Sequence, residues 1–338
     1  MKRAALCLAL PALCLVLAAP SLARADRVVW RMATAAPDST NWARELHAFA
    51  RDVETGTDGQ VAIKWYFGGV AGDEGEVMQR IGKAQLDGMA AAILCGKVAP
   101  SMRVFNVPGI IQGRDEANFL SQKMQHDYAT EAQRNGFALL FTSGLGPTLL
   151  FTRTPVKTMD ELRQIKVWRW NLDEWGVLAT REMGLPVYAA ALVDATRLYE
   201  EGQIGGFTTV PSAALAFQWS TQARYITELP VGYVQGCMLL SNRAWDRLSV
   251  HHRDAVMSAA AKCSHRFEEV GRHEEEQLLG GLFERQGLKK VALSTALRAQ
   301  YFEAARAARE RLGDKLLPRA LLDQVMRLLA DYRAEHGR

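Results

Sequence analysis

Three consecutive runs decide the fold class: Val28-Val29-Trp30-Arg31-Met32-Ala33-Thr34, then Ser39 to Glu54, then Val61-Ala62-Ile63-Lys64-Trp65-Tyr66-Phe67. The first and third are short and rich in β-branched and aromatic residues, so they read as strands. The middle run has the composition of a helix, with Asp38 or Ser39 able to cap it. Gly68-Gly69 then breaks the second strand. The alternation continues with a helix from Asp73 to Lys83, a buried strand from Gly88 to Leu94, a helix from Asp115 to Arg134 and a strand from Phe137 to Thr142. Strand–helix alternation of this kind predicts α/β layers around a largely parallel sheet.

Downstream the pattern repeats. Leu149–Thr152 and Ile165–Trp170 are strand candidates, and Asp173–Met183 a helix. Asp194 is placed to cap a helix through Glu201, which Gly202 stops. Gly205–Thr209 reads as a short buried strand, Pro211 opens a helix through Trp219, and Tyr233–Ser241 is a strand. From His251 to Gln286 the chain is helical in composition throughout, with Val256, Ala260, Cys263, Phe267, Val270, Leu278 and Leu282 on one side. Such a run spans roughly 50 Å, more than one domain is wide. It is expected to lie across two domains and to bend at Gly271 and Gly280-Gly281; the alternative is two helices parted at Gly280-Gly281. Val291–Leu293 then adds a strand, and Leu297–Leu312 and Leu317–His336 are helices.

Upstream, Lys2 and Arg3 precede an apolar run, Ala4 to Ala19, and Ala23-Arg24-Ala25 supplies small residues for a peptidase. This is the form of a secretory signal peptide cleaved after Ala25, and residues 1–25 are assigned to it; a retained anchor is the alternative. Losing Lys2, Arg3 and Arg24 leaves 38 basic against 37 acidic residues. No positive field then argues for nucleic acid or anionic lipid, and no later stretch is long and apolar enough to insert in a membrane. The mature chain is expected to be a free, exported protein. The 313 residues left of 338 exceed what one core usually serves. Two domains are expected: 26–145 with 235–272, and 146–234 with 273–338.

Cys95, Cys237 and Cys263 remain after cleavage. Buried free thiols are the expectation, with one unassignable bridge left open. No ligand spacing suggests a metal, and no cofactor is expected. Neither G-x-S-x-G nor H-E-x-x-H occurs, which leaves an exported hydrolase without a nucleophile–base pattern. Gly68-Gly69 reads as a turn, His251-His252 as the solvated start of the long helix, and Glu274-Glu275-Glu276 as a solvated face. Asp73, Glu74 and Glu76 fit dipole stabilisation at a helix start.

Gly59-Gln60-Val61-Ala62-Ile63-Lys64-Trp65-Tyr66-Phe67-Gly68-Gly69, with Gly72-Asp73-Glu74, resembles the first block of the DctP-type solute-binding proteins of TRAP transporters. Gln85-Leu86-Asp87-Gly88, Pro108-Gly109, Met159 to Val167 and Tyr199 to Gly206 resemble further blocks, in the family's order. Ala213 to Trp219 is similar to a sub-branch whose last two places hold an acidic residue and a tryptophan. The resemblance implies a two-domain periplasmic binding protein with a hinge and a long interdomain helix. It also implies a small organic ligand, an acid by family default, and membrane permease subunits as partners. The C-terminal helices could also support a homodimer.

The chain departs from the family at the site. Two residues after Lys166, where members carry an arginine for the ligand carboxylate, stands Trp168; no arginine occupies Gly144–Leu149; Thr209 stands near the usual asparagine; Gln218 replaces the acidic residue. Strand alternation puts Lys166, Trp168 and Trp170 on one face and Val167 and Arg169 on the other, so Arg169 substitutes only through a bulge. A carboxylate entering a closed cleft loses hydration worth several kcal/mol, which a bidentate arginine offsets. Without one, a neutral, aromatic or apolar ligand is the alternative. Trp168, Trp170 and Trp219 suit such a ligand. Each alone could be a packing residue, but all three as core is not the expectation. The candidate ligand contacts are Trp168, Trp170, Thr208, Thr209, Gln218, Trp219 and Arg169 from the second domain, and Asp38, Trp42 and Phe67 from the first.

Overall fold

The computed structural model describes residues 27–337. The expected leader, with its cleavage point, lies outside the described residues. Among the described residues, nine strands form one sheet: β1 (Val28–Thr34), β2 (Val61–Tyr66), β3 (Gly88–Ala91), β4 (Phe137–Thr152), β5 (Val167–Trp170), β6 (Val187–Ala190), β7 (Gly206–Thr209), β8 (Tyr225–Ser241) and β9 (Lys289–Val291). Their spatial order is β2-β1-β3-β8-β4-β7-β5-β6, with β9 beside β8. The mixed α/β class is as expected from the alternating pattern.

Parallel pairing is confined to the wings. β2-β1-β3 at one end and β7-β5-β6 at the other are each parallel, and β8 also takes β9 in parallel. The centre is antiparallel, because β4 and β8 carry the chain from one wing to the other and back. β3 pairs with Cys237–Leu240 of β8, while β7 pairs with Leu149–Thr152 of β4. Between these stretches β4 and β8 pair only with each other, with register shifts at Gly144/Gly146 and Thr148/Leu150.

This corrects two expectations. Phe137–Thr142 and Leu149–Thr152 are one strand, and Tyr233–Ser241 is the second part of a strand that starts at Tyr225. Ser143-Gly144-Leu145-Gly146-Pro147 and Pro230 read as breakers in isolation. Here the irregular stretches of register absorb them: Thr148 faces Gly232 and Leu150 faces Thr227, so Pro230 sits where the ladder skips.

Glycines fix two close approaches. A Cβ at Gly88 would strike the Leu239 carbonyl of β8, and one at Gly206 would strike the Phe151 carbonyl of β4. The Asp87-Gly88 pair adds an anchor. Asp87 accepts from Arg31 N and Nε at 2.9 Å and from Arg243 at 3.1 Å, tying β1, β3 and the helix after β8.

The long helix, Val250–Gln277, is capped by Ser249 and is about 42 Å long at 1.5 Å per residue. Val256, Ala260, Cys263 and Phe267 are buried against the Asn41–Gly56 helix and β4 in the core of the first wing. The chain then takes a wide turn, Leu278–Leu282, with Gly281 at φ 120°, and Leu278 and Phe283 enter the second wing's core. The bend at Gly280-Gly281 is therefore present. At Gly271 the helix is unbroken, and that glycine leaves room for the Arg114 guanidinium and the Gly144 carbonyl. Glu274 and Glu275 are half-buried rather than solvated. Glu275 pairs with Arg114 at 2.7 Å, and Glu274 accepts from Asn41.

The C-terminal helices divide between the wings. Thr295–Leu312 packs on Met159–Arg163 and Glu174–Glu182 of the second. Arg319–Glu335, with Val325 and Leu329, packs on Arg114–Arg134 in the core of the first, where the expectation grouped it with the second. Asp194 caps no helix through its side chain; it pairs with Arg197 instead. The Pro211 helix ends at Ala216, because Gln218 adopts φ 59° and a separate turn carries Trp219. Among the described residues, no helix is long and apolar enough to cross a membrane.

Candidate functional site

The C-terminal ends of β1, β3, β5 and β7 converge where β4 and β8 cross between the wings. Open parallel sheets place ligands at such strand ends. A cavity of about 160 Å³ lies there, similar to one that holds a benzene-sized molecule. The first wing contributes small groups, Ala35, Ala36 and Ala90 to Ala92, backed by Trp42 and Phe105. The second contributes Trp168, Trp170, Trp219 and Phe217. Tyr233 of β8 stands between them.

The tryptophans are both wall and core. Trp168, Trp170 and Trp219 are 3%, 9% and 2% exposed, so the expectation that they would not all be core residues is overturned. Trp219 stacks on Phe207 at 4.9 Å and meets Trp168 edge-on at 5.0 Å. Its indole N–H donates to Thr196 at 3.2 Å. The indole N–H groups of Trp168 and Trp170 and the Tyr233 hydroxyl are buried without any partner. Thr208 and Thr209 line the cavity, but the Thr208 hydroxyl is already spent on the Trp168 carbonyl at 3.0 Å.

Three lining side chains carry carboxylate or guanidinium charge: Glu74, Arg169 and Asp173. β5 runs without a register shift against β6, so no bulge re-aims Arg169. Trp168 and Trp170 share one cluster and Val167 joins another, as alternation requires. Arg169 reaches Asp173 at 2.6 Å and Thr180 at 3.3 Å. Both partners are under one-tenth exposed. Gly176 makes this pair fit, since a Cβ there would strike both charged groups.

Glu74 corrects the reading of the acidic helix start. Asp73 and Glu76 form a capping box on the Glu74–Gly82 helix. Glu74 itself turns inward and accepts from the backbone N–H groups of Ala92, Ile93 and Leu94 at 2.6, 3.0 and 2.9 Å. Burial pushes its carboxyl above the ordinary value, against the pull of those three donors.

Of the ten candidate contacts, Trp42, Trp168, Arg169, Trp170, Thr208, Thr209 and Trp219 line the cavity. Asp38, Phe67 and Gln218 do not. Asp38 is exposed and pairs with His47 at 2.7 Å, and Phe67 lies on the same His47 ring. The left-handed backbone of Gln218 leaves it in solvent while Trp219 turns in. Sequence reasoning missed Glu74, Phe105, Phe141, Asp173 and Tyr233. Glu74 and Asp173 were legible only as parts of helix starts, and nothing local marks the others.

Cys95 and Cys237 form a disulfide, with Cα atoms 5.9 Å apart and a sequence separation of 142. The expectation of free thiols holds only for Cys263, which is buried. Proximity across the fold made the bridge, which spacing could not show. Among the described residues, no group of three or more His, Cys, Asp or Glu side chains could hold a metal ion.

The family model described as bacterial extracellular solute-binding protein, family 7 (DctP), matches residues 32–315. A solute-binding protein of Chromohalobacter salexigens is 25% identical over 236 residues, 68% of this chain and 69% of its own. The fold is similar to the sugar acid binding protein DctPAm of Advenella mimigardefordensis, solved with galactonate (TM-score 0.83, 16% identity, 90% of this chain and 99% of that one). It is also similar to a TRAP periplasmic solute-binding protein of Bordetella bronchispeptica with density assigned to pantoate (TM-score 0.81, 18% identity, 89% and 99%).

Proposed function

This chain belongs to the DctP family of bacterial extracellular solute-binding proteins, and on that premise we propose that it is a periplasmic receptor that captures one small organic molecule between its wings and presents it to a TRAP permease. The observation that carries the proposal is the cavity where β4 and β8 cross, walled by both wings at the ends of their parallel strands. The family is one of binding rather than catalysis.

The mechanism is conformational. Between the wing-specific pairings, β4 and β8 hold only each other, and the shifts at Gly144/Gly146 and Thr148/Leu150 loosen that ladder. The long helix passes to the second wing through the Gly281 kink. These three connections form the hinge. A ligand that touches both walls favours the closed form, and the permease reads that form. Turning a mostly open population into a mostly closed one takes about 5 kcal/mol of differential binding. Micromolar affinity, near −8 kcal/mol in total, accommodates it.

Small-angle scattering on protein exported with its leader, before and after removal of co-purified solute, tests the reading. The loaded sample should be measurably more compact, and native mass spectrometry should show one small molecule per chain. Identical scattering from demonstrably loaded and empty protein would end it.

A further inference from the structure

Resting on the receptor reading, we infer that the cavity selects an uncharged, flat ligand and rejects carboxylates. Two observations converge. First, the charges on the wall are satisfied in place. Asp173 holds Arg169 at 2.6 Å, and Glu74 is saturated by three backbone N–H groups. The buried arginine nearest the crossing, Arg114, is likewise spent on Glu275 and on the Gly144 carbonyl at 2.9 Å. A carboxylate brought in would lose its hydration and meet two acids against one arginine.

Second, the wall is aromatic. Trp168, Trp170, Trp219, Phe217 and Trp42 offer flat apolar area on both sides of a space sized for one ring.

Three isosteric probes separate the possibilities: benzamide, benzoate and benzamidinium. Ligand-stripped protein is titrated with each by calorimetry, with pantoate and galactonate as acid controls. Benzamide should bind at least about tenfold more tightly than benzoate, and more tightly than benzamidinium. Asp173→Asn, which releases Arg169, should narrow the benzamide-to-benzoate ratio by about tenfold. Should that variant fail to fold, the wild-type ranking decides alone. Benzoate or either acid binding more tightly than benzamide overturns the selectivity and leaves the receptor reading intact. Benzamidinium binding best points to a cation site and also overturns it. Binding of none of the probes, with no small molecule on protein from the periplasm, overturns the receptor reading and this inference together.

Discussion

The two walls of the cavity are braced by different bonds. In the first wing, the Cys95–Cys237 disulfide ties the segment after β3 to β8 beside the small alanine wall. In the second, the Arg169–Asp173 ion pair ties the end of β5 to the start of the Glu174–Glu182 helix beside the tryptophans. A covalent brace is indifferent to charge and sensitive to reductant. An ionic brace is indifferent to reductant and fails when either partner is removed. The contrast also explains why the cavity is poor in free charge: the arginine on its wall is structural.

Reduction should produce the largest effect. Loop-closure entropy for a separation of 142 residues gives about 5 kcal/mol for the bridge. Cys95→Ser/Cys237→Ser, or reductant in the denaturant melt, should shift the unfolding midpoint accordingly. The single variants add a buried lone thiol and are a poorer test. If the melt is unmoved by reductant, the first wall needs no covalent brace and the comparison collapses.

Next in size is the ion pair. Arg169→Met alone should cost roughly 3–5 kcal/mol, because it strands Asp173 in a buried site. Arg169→Met/Asp173→Leu should recover most of that loss. An equal cost for single and double variants would mean that packing, not charge, is what the pair supplies. Gly176→Ala offers an independent probe, since its Cβ would strike both groups; it should destabilise wild type more than the double variant.

The layered class, the strand–helix order, the long helix and its kink at Gly281 were all legible, because they depend on local period and on breakers. The continuity of β4 and β8 was not. Ser143 to Pro147 and Pro230 look like turns, and only pairing across the sheet shows that the ladder tolerates them. The site divides in the same way. Trp168 and Trp170 follow from alternation along one strand. Glu74 does not, because its three donors lie 18 to 20 residues away. The disulfide, spanning 142 residues, was beyond any local signal.

The smallest effect tests whether the first wing is braced by its covalent bond alone. Asp87 joins β1 to β3 and to Arg243 within that wing. Burial pushes its carboxyl up, but the side-chain and backbone bonds from Arg31, aided by Arg243, outweigh this and hold it below the ordinary value of 3.8. A carboxyl lowered in the fold stabilises at pH above its unfolded value, and that contribution is lost as pH falls through the folded value. Asp87→Asn should therefore cost about 1–2 kcal/mol at neutral pH, a modest figure because Arg31 and Arg243 are each more than a third exposed. The gap between wild type and variant should close as the pH is taken from 5 down through 3.8 and below the folded value. Melting curves across that range, with the disulfide intact, measure it. A constant gap would mean that Asp87 acts through its shape rather than its charge.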